Sequence, residues 1–256
     1  MAEIIILGCG FTGSRVASIL REQGLAVRGL HRTDADFTQP AAFQILSEII
    51  TPGCLVLHSV PSLPGQADAK LISAFGDRPR RVVYLSTTGV YGDQEFVDET
   101  TEPQPHTPRG LDRLATEHAV QQGPWSSLIL RPAAIYGPGR GVHVAMAERR
   151  YTLMGDGSNF ISRIHVDDLA RITAAAMLSD LTGAFPVADD HPCSAAEIAG
   201  FVAQYLGLPP ALQAPVEAVP ESRRTNRKVD GKAVRRLLGI ELKFPSYREG
   251  IPACQP

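Results

Sequence analysis

The chain is expected to be an α/β protein, a Rossmann-like doubly wound parallel sheet with a small C-terminal lobe. Three observations carry this expectation. Short apolar runs (Ile4 to Leu7, Cys54 to Val60, Arg81 to Ser86, Ser127 to Leu130) alternate with segments of helical periodicity, the pattern of a parallel sheet covered on both faces. The first run breaks off into Gly8-x-Gly10-x-x-Gly13 at the start of a helix. After Tyr136 the alternation loses its regularity, which leaves material for a smaller lobe. The expected division is 1–135 with 164–190 for the sheet domain, and 136–163 with 191–256 for the lobe.

Strand, glycine turn and helix in that order are the context that a dinucleotide fingerprint requires. Gly8 turns the chain, Gly10 lets backbone approach a pyrophosphate, and Gly13 lets helix and strand pack closely. Phe11 and Thr12 complete the loop. The helix N-terminus offers N–H groups and a positive dipole end to phosphate. Val16, Ile19 and Leu20 form the helix's inner face, and Gly24 stops it.

The second strand, Ala26 to Leu30, ends at His31-Arg32. NAD-preferring folds place an acidic residue there against the ribose 2′-hydroxyl. An arginine at this place can pair with a 2′-phosphate instead, so NADP is favoured over NAD; the plain alternative is a solvated loop arginine. A helix over Thr38 to Thr51 and the strand Cys54 to Val60, stopped by Pro61 and Pro64, follow. The end of that strand faces the crevice, which adds His58, Ser59 and Val60 to the expected cofactor contacts.

A modest helix over Gln66 to Phe75 leads to the strand Arg81 to Ser86 and the turn Thr87 to Gly92. Beyond an acidic, Pro-rich loop, a helix over Arg109 to Gln122 has Leu111, Leu114, Ala115, His118 and Ala119 as its expected inner stripe. Arg140 to Arg163 reads as a loop-rich insertion. Asp167 is expected to cap the next helix. Phe185 to Ala188 is expected as a last strand. Ser194 and Glu197 form a capping box before Ile198 to Leu206, Pro209 to Pro220 is a connector, and a short helix ends at Gly239.

The formal net charge of −2 argues against a broad nucleic-acid surface. Four scattered cysteines lack metal-ligand spacing, so no metal is expected and reduced thiols fit a cytoplasmic setting. No apolar stretch approaches the ~20 residues of a membrane span, and the start does not read as a signal peptide. The expectations are therefore a cytoplasmic protein, no membrane, no nucleic acid, and a monomer or homodimer.

Four stretches together resemble the extended short-chain dehydrogenase/reductases, in their NAD-dependent epimerase/dehydratase branch. They are Gly8 to Gly13, Leu85 to Gly92, Leu130 to Pro132 with Ile135 to Gly139, and Ile164 to Ala170. The resemblance implies an NAD(P)-binding oxidoreductase or epimerase with a C-terminal substrate lobe. The substrate it implies is a small hydroxyl or carbonyl compound, nucleotide-sugars among them. Arg131 and Pro132 join the implied cofactor contacts. Ser86 and Thr88 stand where the family's serine or threonine bonds the reacting oxygen.

One departure stands out. The family carries Tyr-x-x-x-Lys on the helix after the Val-Tyr-Gly turn, with a Glu one turn on. Counted back from Glu117, those positions hold Arg109 and Arg113, and no tyrosine lies between Tyr91 and Tyr136. An arginine stays protonated and cannot abstract a proton. Arg113 can retain a cationic role near the cofactor ribose, and Arg109 and Arg163 are candidate substrate contacts. Tyr91 is a candidate replacement acid. His165 reads as structural, and Arg223, Arg224, Arg227 and Lys228 form a basic cluster. A dinucleotide sensor without turnover stays open as the alternative.

Overall fold

The structure, a computed structural model, describes residues 2–39, 41–61, 63, 67–219 and 224–254. Pro64, Gln66, Pro220 and Arg223, each used in the sequence reading, lie outside the described residues.

The first half runs β1 (Ile4–Leu7), α1 (Gly13–Glu22), β2 (Val27–Leu30), α2 (Ala41–Ile49), β3 (Leu55–His58), α3 (Ala67–Ser73) and β4 (Arg81–Leu85). A single helical turn (Thr88–Tyr91), β5 (Phe96–Val97), α4 (Pro108–Gln122), β6 (Ser126–Pro132) and β7 (Ala134–Tyr136) follow. Then come α5 (Val142–Ala147), β8 (Thr152–Met154), β9 (Phe160–Ile161), β10 (Arg163–His165), α6 (Val166–Leu178) and β11 (Gly183–Val187). The remainder is β12 (Cys193–Ser194), α7 (Ala195–Leu206), β13 (Leu212–Ala214), β14 (Lys228–Val229), α8 (Lys232–Leu238) and α9 (Tyr247–Gly250).

Six of these strands form one parallel sheet in the order β11-β6-β4-β3-β1-β2. The Rossmann-like expectation is met. Alternate side chains leave opposite faces, and two cores result. Ile4, Ile6, Leu57, Val83 and Leu130 meet α1 and α6 on one face. Ile5, Leu7, Val56, Val82 and Ile129 meet α2, α3 and α4 on the other. Four consecutive apolar residues in β1 are all buried because both faces are covered. A third core, around Tyr136, Met146, Ile198 and Tyr247, joins β7, α5, α7 and α9 into a lobe beside the sheet.

Three expectations need correction. The stretch read as loop-rich holds α5, β8 and β9; elements this short cannot establish a period. The cap of α6 is His165, whose Nδ1 accepts from the Asp167 amide at 3.2 Å. Asp167 itself pairs with Arg15 at 2.9 Å. In α4 the inner residues are Gly110, Arg113, Thr116, Glu117 and Val120, while Leu111 is 53% exposed. The polar side of this helix faces the sheet because the sheet supplies partners for it.

Asp168, fully buried, ties α6 to the C-terminal segment. Its carboxylate accepts from the backbone amides of Lys243 and Phe244, both at 2.8 Å. His165 packs between Tyr136 and Phe244, in keeping with its structural reading. No helix among the described residues is long and apolar enough to cross a membrane.

Candidate functional site

The carboxyl ends of β1, β3, β4 and β6 open into one large cleft of roughly 1930 Å³. Its opposite wall comes from α5, β9 and the segment around Arg224 to Val229. This is the crevice at which open α/β sheets bind ligands.

The glycine loop forms one end. Gly8 has φ +87°, and a side chain there would meet the Ser59–Val60 backbone at 2.8 Å. A Cβ on Gly13 would collide with the Gly8 carbonyl, so the helix start lies directly on the turn. Around Gly10 there is open space within 4 Å. No side chain caps α1, which leaves its N-terminal amides for an anion. A dinucleotide pyrophosphate fits this cradle: a turn closed on the protein side by Gly8 and Gly13 and open on the cleft side at Gly10. Ser59 braces it, donating to the carbonyls of Gly8 at 2.7 Å and Leu7 at 3.2 Å.

At the end of β2, His31, Arg32 and Thr33 line the cleft. The Asp34 carboxylate is occupied by the His31 amide at 2.8 Å, and Asp36 by the Thr38 hydroxyl at 2.7 Å. Both acids are thus engaged by their own loop.

Beneath the middle of the cleft lie two buried polar clusters. In the first, Ser86 donates to Glu117 at 2.5 Å, and Arg131 clamps the same carboxylate at 2.7 and 3.2 Å. Arg131 also donates to the Tyr91 hydroxyl at 3.1 Å and lies over its ring. Burial raises the Tyr91 pKa in spite of Arg131. In the second cluster, Arg113 donates to the Tyr84 hydroxyl at 2.5 Å and to the Val60 carbonyl at 3.3 Å. Burial pushes the Tyr84 phenol up to about 12 against the pull of Arg113. His58 stacks on Tyr84 with ring centroids 4.9 Å apart, and its Nε2 lies 3.6 Å from Asp68.

On the lobe side, Arg163 and Arg227 are both 5% exposed. Arg163 donates to the Ile161 carbonyl at 2.6 Å and to Cys193 Sγ at 3.1 Å. Arg227 holds the carbonyls of Thr88 at 2.7 Å, Gln94 at 3.1 Å and Gly92, and so pins the Thr88 turn to the lobe. Next to them, burial raises the Asp189 carboxyl to about 8. His143, on the first turn of α5, also lines the cleft while only 4% exposed.

Of the residues singled out in the sequence, Gly8, Gly10, Phe11, Thr12, His31, Arg32, Ser59 and Val60 come together on the cleft wall. Ser86, Thr88, Arg109, Arg113, Pro132 and Arg163 line it as well. Gly13 sits behind the loop. His58, Tyr91 and Arg131 are not brought to the wall: all three are buried in the clusters below. For His58 and Arg131 the physical reason is strand alternation, since each points to the side opposite the neighbour that reaches the cleft, whereas Tyr91 ends the helical turn Thr88–Tyr91 with its side chain inward. Tyr91 is fully buried, and its hydroxyl oxygen accepts from Arg131 at 3.1 Å. Sequence reasoning missed His143 and the burial of Glu117. The i, i+4 spacing of Arg113 and Glu117 with Gly110 on the same polar stripe was the available signal for the latter; for His143 the signal was its position just after the glycine-rich turn 137–141.

Residues 66–185 match the model of the NAD-dependent epimerase/dehydratase family. The chain is 30% identical over 170 residues to the 3-diazoavenalumate denitrifying reductase of a Streptomyces species, which covers 61% of this chain and 55% of that protein. It thus spans about half the length of that curated relative. Among solved structures, a conserved protein of unknown function from Silicibacter pomeroyi has a TM-score of 0.80 at 28% identity, covering 99% of this chain and 98% of that one. The UDP-glucose 4-epimerase of Thermus thermophilus, in complex with NAD, has a TM-score of 0.81 at 21% identity, covering 98% and 97%. At that identity the likeness shows the fold alone.

Proposed function

We propose that this chain, whose residues 66–185 match the model of the NAD-dependent epimerase/dehydratase family, is an NADP-preferring enzyme working at a substrate hydroxyl or carbonyl without the family's tyrosine. The observation that carries the reading is the glycine cradle, closed behind by Gly8 and Gly13 and open at Gly10. It faces the same cleft as Ser86, Thr88 and the lobe wall.

A bound nicotinamide dinucleotide supplies hydride transfer. The chain's own residues place the reactants. Gly8 to Gly13 would hold the pyrophosphate, and Arg32, on the cleft wall at the end of β2, would take the 2′-phosphate. Arg113, fixed by Tyr84 and the Val60 carbonyl, would offer a bound dinucleotide a permanent positive charge on the cleft wall. Ser86 gives its proton to Glu117, so towards the cleft it accepts. Thr88 is then the hydroxyl that donates to a substrate oxygen.

The substrate proposed is a small hydroxyl or carbonyl compound, with nucleotide-sugars in the first set to try. The support is a cleft long enough to hold a second ligand beyond the dinucleotide, with Arg109 and Arg163 on its wall. A second reading, a dinucleotide sensor without turnover, is favoured by one observation: Arg109 and Arg113 occupy the helix where the family's acid/base pair stands.

Fluorescence titration with NADH and NADPH tests the cofactor, and absorbance change with UDP-glucose, UDP-glucuronic acid, pyruvate and benzaldehyde tests turnover. NADPH is expected to bind more tightly, and Arg32→Asp to weaken NADPH about tenfold more than NADH. Equal losses for both cofactors refute the NADP assignment. Failure to bind any dinucleotide overturns both readings, whereas tight binding with no turnover across the panel selects the sensor.

A further inference from the structure

Among the buried polar side chains on the cleft wall, His143 differs from the rest. Arg113, Arg163 and Arg227 each spend hydrogen bonds on neighbouring carbonyls. Ser86 spends its proton on Glu117. His143 is only 4% exposed, and among the described residues its ring meets no side-chain hydrogen-bond partner, its polar neighbour being the Gly137 backbone. A buried imidazole nitrogen left without a partner costs about 1–3 kcal/mol relative to a satisfied one. Such a group is expected where something outside the protein completes it.

The local chain is shaped around this ring. Tyr136 ends β7 in the lobe core, and the turn 137–141 carries the chain from there to α5. Gly141 has φ +134°, and a Cβ there would stand 3.1 Å from the His143 ring and 3.0 Å from Tyr136. Only glycine permits that backbone beside the imidazole. His143 lies on the same wall as Tyr136, Gly141 and Ala145, across the cleft from Thr88 and Arg113 on the sheet side, with both ring nitrogens just beneath the surface.

We propose that His143 is the proton-transferring group for the substrate, the part that no tyrosine on α4 plays in this chain. The inference rests on the reading of the cleft as a nicotinamide-dependent active site. In the oxidative direction one imidazole nitrogen accepts the proton of the substrate hydroxyl. The carbon gives its hydride to the nicotinamide dinucleotide, the C–O bond becomes C=O, and the dinucleotide is reduced. In reverse, the imidazolium returns that proton to the oxygen as hydride arrives. Thr88 holds the same oxygen through its hydroxyl. Burial lowers the His143 pKa, with a partial offset from the Gly137 backbone. The ring is therefore neutral at pH 7, the form that accepts a proton.

His143→Phe and His143→Gln in the full-length protein test this. Because the imidazole meets no side-chain partner among the described residues and only the Gly137 backbone beside it, the Phe variant is expected to melt within about 2 °C of the parent. NADPH affinity is expected to stay within about twofold. Turnover with any substrate found in the panel should fall about 10²-fold or more for both variants, since proton transfer is worth 10²–10⁴. A retained rate, or a Phe variant that unfolds early, overturns the assignment.

A readout free of turnover uses protein labelled with ¹⁵N-histidine and loaded with NADP. The His143 ring nitrogens should shift when UDP-glucose, UDP-glucuronic acid, pyruvate or benzaldehyde is added. A ring that responds to none of the four, in a protein that binds NADP, overturns the proposal even where no turnover is detected. If a ring shift appears without turnover, the enzymatic reading fails and His143 keeps a ligand-contact role only, so the two failures are distinguishable.

Discussion

The glycine loop and the inner face of α4 border the same cleft and are built on opposite plans. The loop is backbone: its shape comes from residues with nothing beyond Cα, and its binding groups are amides at the start of α1. The face of α4 is side chain: Arg113, Thr116 and Glu117 are 5%, 1% and 1% exposed. Arg113 meets Tyr84 of β4, and Glu117 meets Ser86 just past β4 and Arg131 of β6, while Thr116 donates to the Asp112 carbonyl of its own helix. A backbone site tolerates almost any surrounding sequence but no side chain at its glycines. A side-chain site tolerates no loss of a partner, because each buried charge depends on another element. The two should therefore fail in different ways.

The largest effect is expected in the α4 network. Arg131→Met leaves the Glu117 carboxylate buried without its cation, which costs about 3–5 kcal/mol. For a chain of this size that lowers the melting temperature by roughly 10 °C. Thermal denaturation followed by circular dichroism measures it, and Glu117→Met combined with Arg131→Met should recover much of the loss. A single variant that melts with the parent would mean that the pair does not hold α4 to the sheet.

The loop should break without such a collapse. Gly10→Ala puts a methyl group into open space, so the melting temperature should stay within about 1–2 °C while NADPH affinity drops about tenfold. Gly13→Val is the contrasting change. Its side chain would be driven into the Gly8 carbonyl and towards Ser59 Oγ, 2.9 Å from the new Cβ. Both stability and cofactor binding should then fall. If Gly10→Ala binds NADPH as the parent does, the open side of the loop is not where the pyrophosphate lies.

This contrast also explains what could be read from sequence. The sheet, its helices and the cradle were legible, because β-branched runs and a glycine spacing are local signals. The orientation of α4 was not. Leu111 and Leu114 suggested an apolar stripe, and the face that is buried carries Arg113 and Glu117 instead. Only the register of β4 and β6, which brings Leu85 beside Leu130, places Ser86 and Arg131 where they satisfy that polar face. His58 and Arg131 fell inside rather than on the cleft for the same reason, since one residue of alternation decides the side. His143 left little trace because α5 is six residues long, too short for a period.

Asp189 sharpens the comparison on the lobe side, where a buried acid meets no partner comparable to Arg131. Its Oδ1 accepts from the His191 amide at 3.2 Å, while Oδ2 has no hydrogen-bond partner among the described residues. Arg163 is near enough to be felt, yet it spends its donors on Ile161 and Cys193. Burial accordingly raises the carboxyl to about 8, from an ordinary value of 3.8. Between those limits the folded protein holds a proton that the unfolded chain has released, so this group's contribution to stability declines as pH rises through the window. Asp189→Asn carries no such proton. The difference in melting temperature, variant minus parent, should therefore grow from pH 5 to about 8 and level off above it. A difference that stays flat with pH would place an unrecognised cation on Asp189, and the lobe would then follow the plan of α4 after all.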